Sequence, residues 1–155
     1  MGNTLKKISK VNISPKSYNN KYGVPLSLFN LNQNDDYGVL EVGMDKKGEI
    51  NYLSEIIRPD ASVITNINYA HAKNFKNIKE IALAKSEIIQ NTKTNGYIIL
   101  NADDNFFRLH KKLAFKRNLK VISFGIKNNK SSIKFSSIKK KHIITPTRIP
   151  IFLYY

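Results

Sequence analysis

The sequence runs to 155 residues, enough for one domain with a real core. It has no cysteine, which rules out a disulfide framework and a Cys-ligated zinc site and fits a reducing, cytoplasmic setting. A formal charge of +15 invites a nucleic-acid reading, but the cations are mostly Lys, are scattered through Asn- and Ile-rich sequence, and coincide with no common nucleic-acid motif.

The opening MGNTLKKISK has no apolar run long enough for a signal peptide, and nowhere are there about 18 consecutive apolar residues for a membrane span. LKKISKVNI is a short amphipathic piece able to close as a strand. SPKSYNNKYG follows, with Pro15, the Asn19–Asn20 pair and Gly23 as turn chemistry. In VPLSLFNL the apolar Val24, Leu26, Leu28, Phe29 and Leu31 predict a short helix after Pro25. YGVLEVGM, strand at 37–43, is the near-continuous apolar run of a buried parallel strand. Glu41 interrupts it, and a carboxylate there needs a partner, which a bound cation supplies. GMDKKGEI spaces Gly43 and Gly48 like the glycines of a phosphate loop, but Glu49 and Ile50 stand where Lys and Ser/Thr are required. Gly48 and Glu49 are read instead as the opening of a helix, EINYLSEII, that stops before Pro59.

ASVITNIN gives the next strand, at 62–67, and its exit loop NYAHAKNF holds His71 and Phe75. KNIKEIALAKSEIIQNT is the clearest helix, with Ile78, Ile81, Ala82, Lys85, Ile88 and Ile89 on one face. Lys85 therefore sits in or beside an apolar stripe, where it snorkels out, is paired, or is chemically modified. Asn95–Gly96 turns the chain into GYIILNADD, a strand at 97–100 whose end, Asn101, is a candidate nucleotide contact. Asp103 or Asp104 is expected to cap the basic helix DNFFRLHKKLAFKRN, and LKVISFG gives a strand at 119–124.

Strands alternating with helices imply an α/β domain, three-layer, with one mostly parallel sheet flanked by helices. Ligands bind beyond the carboxyl ends of such strands. One edge would then carry Glu41 and His71, with Lys85 facing the same cleft; the plain alternative is a solvated Glu, a surface His and one more lysine. The expected division is a domain over 1–125 and a polar, basic segment over 126–155, read as a hairpin or disordered. That segment ends on the apolar TPTRIPIFLYY and reads as truncated.

NNKYGVPLSL, EVGMDKKGEI, ITNINYAHAKNFKNIKEIALAKSEI and GYIILNADD, in this order and spacing, resemble the central domain of the Mur ligases over roughly residues 12–125. Within that family they most resemble the branch that adds D-alanyl-D-alanine. The resemblance implies ATP-dependent amide formation in peptidoglycan-precursor synthesis. ATP phosphorylates the terminal carboxylate of UDP-N-acetylmuramoyl-tripeptide, and the amine of D-alanyl-D-alanine attacks the acyl phosphate. It implies Glu41 as a ligand of the Mg2+ between the β- and γ-phosphates and His71 as a ligand of a second Mg2+. It implies Lys85 as a carbamylated lysine at that second metal, and places the Asn19–Asn20 turn near the nucleotide-sugar substrate.

No G-x-x-G-K-[ST] phosphate loop occurs in the sequence; in the family it precedes the Asn-rich turn. Without that loop and the family's carboxy-terminal domain, the chain is expected to be inactive alone and to bind ATP poorly. Whether a second polypeptide supplies those parts stays open. The alternatives are another Mur or folylpolyglutamate-type ligase fragment and, from a different class, a basic nucleic-acid-binding protein.

Overall fold

The computed structural model describes residues 2–69, 74–128 and 130–134, and along them strands and helices alternate. In chain order they are α1 (Gly2–Leu5), β1 (Val11–Ile13), α2 (Gly23–Phe29), β2 (Tyr37–Val39), α3 (Glu49–Ile57) and β3 (Ala61–Ile64). There follow α4 (Ile78–Asn91), β4 (Tyr97–Asn101), α5 (Phe107–Lys116), β5 (Lys120–Gly125) and β6 (Ile133–Lys134). Every strand pair among the described residues is parallel, as apolar strands linked through helices dictate. The parallel α/β architecture expected from the sequence is what the chain adopts. β6 pairs with β5 and carries the sheet past residue 125; residues 135–155, with the apolar terminal stretch, lie outside the described residues.

The expectation of one sheet is corrected at a single place. β1 and β2 form a two-stranded sheet, and β3, β4, β5 and β6 form a second, in that order, with no pairing between β2 and β3. Both strands at this seam are also shorter than expected. Beyond Val39 the N–H of Glu41 donates to Ser14 Oγ (3.0 Å) and that of Gly43 to the Asn19 carbonyl (2.7 Å), so a side chain and a loop replace the ladder. Beyond Ile64 the Asn66 carbonyl accepts from Lys85 Nζ, and the Ile67 N–H donates to Asp104.

Three other expectations shift. The opening amphipathic piece is strand only from Val11; before it lies the short helix α1. α2 begins at Gly23, two residues ahead of Pro25, because a proline in the first turn forfeits no helical hydrogen bond. A Cβ at Gly23 would stand 2.3 Å from the Tyr18 Cα, so that turn admits only glycine. α5 begins at Phe107 and Phe106 makes no side-chain cap; Asp104 Oδ1 accepts from the Phe106 N–H at the helix entry, while Asp103 serves the exit of β5.

Alternate residues of the strands face two cores. Leu40, Ile64, Ile98 and Leu100 pack with Leu53 of α3, Ile81 and Ile89 of α4 and Ala114 of α5. Val11, Val39, Val63 and Ile99 face the other way, where Leu5 of α1 packs against them. The described helices α2 to α5 thus cover one face, and α1 lies over the other. Each fully buried Leu or Ile contributes about 1.5–3 kcal/mol through burial, so the first core dominates stability.

Candidate functional site

The candidate site residues lie at the exits of β2 and β3, where side chains from the Asn19 loop, α4 and the loop after β4 bond to them. Glu41 lies two residues past β2. Its Oε1 accepts from Asn19 Nδ2 at 2.8 Å, and among the described residues no hydrogen bond engages Oε2. Asn19 in turn is clamped against the strand exit, with its own carbonyl on the Gly43 N–H. A Cβ at Gly43 would meet the Asn19 amide at 3.0 Å, so glycine permits this close approach. Asn20 has a different task. Its Oδ1 accepts from the N–H groups of Tyr22 and Gly23, both at 3.0 Å, and so closes the first turn of α2.

The loop 43–48 borders a groove of about 760 Å³ between α2 and α3, lined in part by Asn19, Lys21, Tyr22, Lys46, Lys47 and Tyr52. Gly48, at φ 90°, turns the chain into α3 in a conformation that a side chain would strain. Glu49 then folds back, its Oε2 accepting from the N–H groups of Asp45 (2.6 Å) and Lys46 (3.1 Å). The Asp45 N–H is the main cause that holds this carboxyl below its ordinary pKa. The helix-opening reading of Gly48–Glu49 is thus what the chain does, and the phosphate-loop reading is excluded.

Lys85 projects from α4 to the exit of β3, its Nζ donating to the Asn66 carbonyl at 3.0 Å. Around its stem lie Val42, Ile50, Val63, Ile64, Thr65 and Ile88, so it borders the segment that follows Glu41. Burial lowers its pKa from the ordinary lysine value, and Asp104 partly opposes that shift. Asp104 ties the two strand exits together, accepting from Ile67 N–H on Oδ2 and Phe106 N–H on Oδ1, both at 2.8 Å. His71 lies outside the described residues. Among the described residues no three His, Cys, Asp or Glu side chains group as a metal cage.

Asn101, the candidate nucleotide contact, turns its Oδ1 to the Asp103 N–H at 2.9 Å. Asp103 accepts from the N–H groups of Ile126, Lys127 and Asn128 and so organises the exit of β5. Those N–H groups, Lys127 foremost, depress its carboxyl pKa. Sequence reasoning did not single out Glu87, on α4 two residues beyond Lys85. Its carboxylate accepts from Gly48 N–H (2.9 Å) and Asn51 N–H (3.0 Å), so it caps α3 from a neighbouring helix. The signal was its place in AKSEI, on the same helix as the lysine.

This is a parallel α/β domain with a carboxylate and a desolvated lysine at adjoining strand exits, the arrangement of a ligand-binding sheet edge. Comparison with known proteins gives a narrower answer. The model of the Mur ligase middle domain matches residues 1–149, and the chain belongs to that family. It is 40% identical over 142 residues to a UDP-N-acetylmuramoyl-tripeptide–D-alanyl-D-alanine ligase of Buchnera aphidicola from Acyrthosiphon pisum, covering 92% of this chain and 29% of that one. It is 42% identical over 88 residues to the enzyme of the same name from Bacillus subtilis, covering 57% of this chain and 19% of that one.

Among solved structures, MurF of Acinetobacter baumannii superimposes with a TM-score of 0.81 at 30% identity, over 89% of this chain and 29% of that one. MurF ligase of Thermotoga maritima, solved in complex with ADP, gives 0.70 at 32% identity over 81% of this chain and 29% of that one. The chain therefore spans less than a third of the length of these relatives. No helix among the described residues is long and apolar enough to cross a membrane.

Proposed function

We propose that this chain is the central, catalytic-edge portion of an ATP-dependent ligase that joins D-alanyl-D-alanine to UDP-N-acetylmuramoyl-tripeptide. One observation carries the reading: Glu41, oriented by Asn19, and the half-buried Lys85 occupy adjoining strand exits of a domain of this family. The donor set fits magnesium. A carboxylate with one oxygen held and the other open is a hard ligand, and Mg2+ is commonly bound by one or two carboxylates together with substrate phosphates. In this reading Glu41 and His71 would hold the metal ions, which when bound would neutralise phosphate charge.

Lys85 suits carbamylation. Its lowered pKa enlarges the share of neutral amine, whose lone pair attacks carbon dioxide to form an N–C bond; one proton leaves, and a carboxylate replaces a cation. Asn19 positions Glu41, while Asn20 holds the turn that brings α2 to the groove. The lysines of that groove offer positive charge to an anionic nucleotide sugar. Asn101 would lie beside the nucleotide, on a strand end shaped by Asp103.

The test is reconstitution. The chain is combined with fragments of the Buchnera relative that supply the remainder of its length, then given ATP, Mg2+ and both substrates. Phosphate release and a product of the expected mass are the expected result, with loss of at least about 100-fold in Lys85→Ala. Undiminished turnover in Lys85→Ala removes that lysine from the mechanism, and no turnover from a folded mixture removes the ligase reading.

A further inference from the structure

We propose that the outer face of α5 is a docking surface for an anionic lipid bilayer. The proposal stands apart from the ligase reading, because it uses none of the residues assigned there.

The charge of the chain is unevenly shared. All 11 Asp and Glu lie at or before Asp104, whereas 13 of the 26 Lys and Arg lie beyond it. Residues 1–104 are therefore close to balanced, and the excess of +15 comes almost wholly from the last third of the chain. α5 is the helix of that acid-free part, and it gathers the charge on one side. Arg108, Lys111, Lys112, Phe115 and Lys116 recur at i, i+3, i+4, i+7 and i+8, and they line a shallow, open depression of about 550 Å³. His110 and Ala114 are buried on the opposite side, where Leu113 also packs against the core.

The helix gains little of its own from this arrangement. Arg108 stands in the first turn, where the helix dipole disfavours a cation; only Lys116, in the last turn, is favoured. Arg108, Lys112 and Lys116 follow one another at i, i+4, a like-charge spacing that destabilises a helix. Among the described residues no carboxylate pairs with these cations. Phe115 is 58% exposed in the middle of them, with Lys111 Nζ 5.5 Å from its ring and 5.8 Å from that of Phe107.

A bilayer meets each of these features. Its phosphates neutralise the four cations, each of which strengthens binding about fivefold near an anionic membrane. Phe115 reaches the boundary between headgroups and acyl chains. Nucleic acid meets fewer of them. The depression is too shallow to track a strand, and Lys111 covers one face of the ring on which a base would stack. The sequence also carries no common nucleic-acid motif. The face looks away from the sheet, so a bound bilayer leaves the strand exits with Glu41 and Lys85 open.

The experiment floats the full chain with vesicles of phosphatidylcholine, alone or mixed with phosphatidylglycerol, at low and at physiological salt. The chain should bind the phosphatidylglycerol vesicles at least about 100-fold more tightly, and salt should weaken that binding. Arg108→Gln, Lys112→Gln and Lys116→Gln combined should weaken it about 100-fold; Gln keeps helix propensity, so the melting temperature should not fall. Phe115→Trp places a single tryptophan in a chain that otherwise has none, and its emission should move to shorter wavelength on the anionic vesicles.

Equal binding to both kinds of vesicle overturns the proposal. So does binding that survives the triple Gln variant but is lost when Lys139, Lys140 and Lys141 are replaced by Gln. Tryptophan emission that stays unshifted on vesicles holding the chain overturns it too, as does tighter binding of single-stranded DNA than of the anionic vesicles at the same salt.

Discussion

At the scale of single residues, the site depends on groups that orient others. Asn19 is the clearest case: its amide fixes one oxygen of Glu41 and leaves the other for a ligand. Asn19→Ala should lower turnover of the reconstituted ligase by about 10–100-fold, the usual effect of removing a group that holds a metal ligand. The melting temperature should fall by no more than about 4 °C, since a single part-buried hydrogen bond contributes about 1 kcal/mol. A fall in activity matched by general unfolding would contradict the positioning role.

His110 on α5 is buried, its Nε2 facing the Ala82 carbonyl at 3.1 Å. Burial is the main cause that lowers its pKa from 6.5, opposed by the Ala82 carbonyl and Asp104 and reinforced by Lys85. A base whose folded pKa is depressed binds more protons when unfolded. Its contribution is therefore complete above about pH 6.5 and lost as pH falls below it. Urea midpoints measured between pH 8 and pH 5 should decline for the parent and stay flatter for His110→Leu. The depressed carboxyls of Glu49 and Asp103 act at lower pH, and the difference between parent and variant across this window reports His110.

At the scale of elements, helices α3 and α4 form the frame beneath the site. Glu87 reaches from α4 to the N-terminus of α3, where free N–H groups and the helix dipole favour an anion. Asn91 adds a second tie, donating to Asn51 and to Ser54 Oγ. Glu87→Ala should lower stability by about 1–2 kcal/mol and the melting temperature by about 3–6 °C, with Glu87→Gln between it and the parent. Because Lys85 rides on the same helix, thermal and exchange data should show the loop 43–48 loosening with it. A Glu87→Ala chain as stable as the parent, with unchanged exchange at Gly48 and Asn51, would refute the cap.

At the scale of the whole molecule, the chain supplies a framework and part of a site. Its sequence holds no G-x-x-G-K-[ST] loop, and neither the backbone donors nor the lysine of such a loop are replaced by mobile surface lysines. The purified chain alone should show no amide formation and no saturable ATP binding at submillimolar concentration. Calorimetry with Mg2+ and ATP, together with a phosphate-release assay, checks both; turnover by the chain alone would show that another of its loops does the phosphate work.

Much of this was legible in the order of residues. Apolar runs and helical spacing placed α3, α4, β4 and β5, and Glu49 opens its helix where the glycine before it required. Those signals are local, written within one or two turns of chain. The apolar run before Glu41 marked the strand that it follows, and the helical stripe of α4 marked Lys85 as partly buried. What the order of residues left open was set by partners distant along the chain. Asn19 meets Glu41 across 22 positions, Glu87 meets Gly48 across 39, and Asp103 meets Ile126 across 23. Hydrogen bonds of that reach have no periodicity to betray them. The break between β2 and β3 belongs to the same class: the sequence determined that both strands are apolar, but only the tertiary structure decided which edge of each strand found a partner.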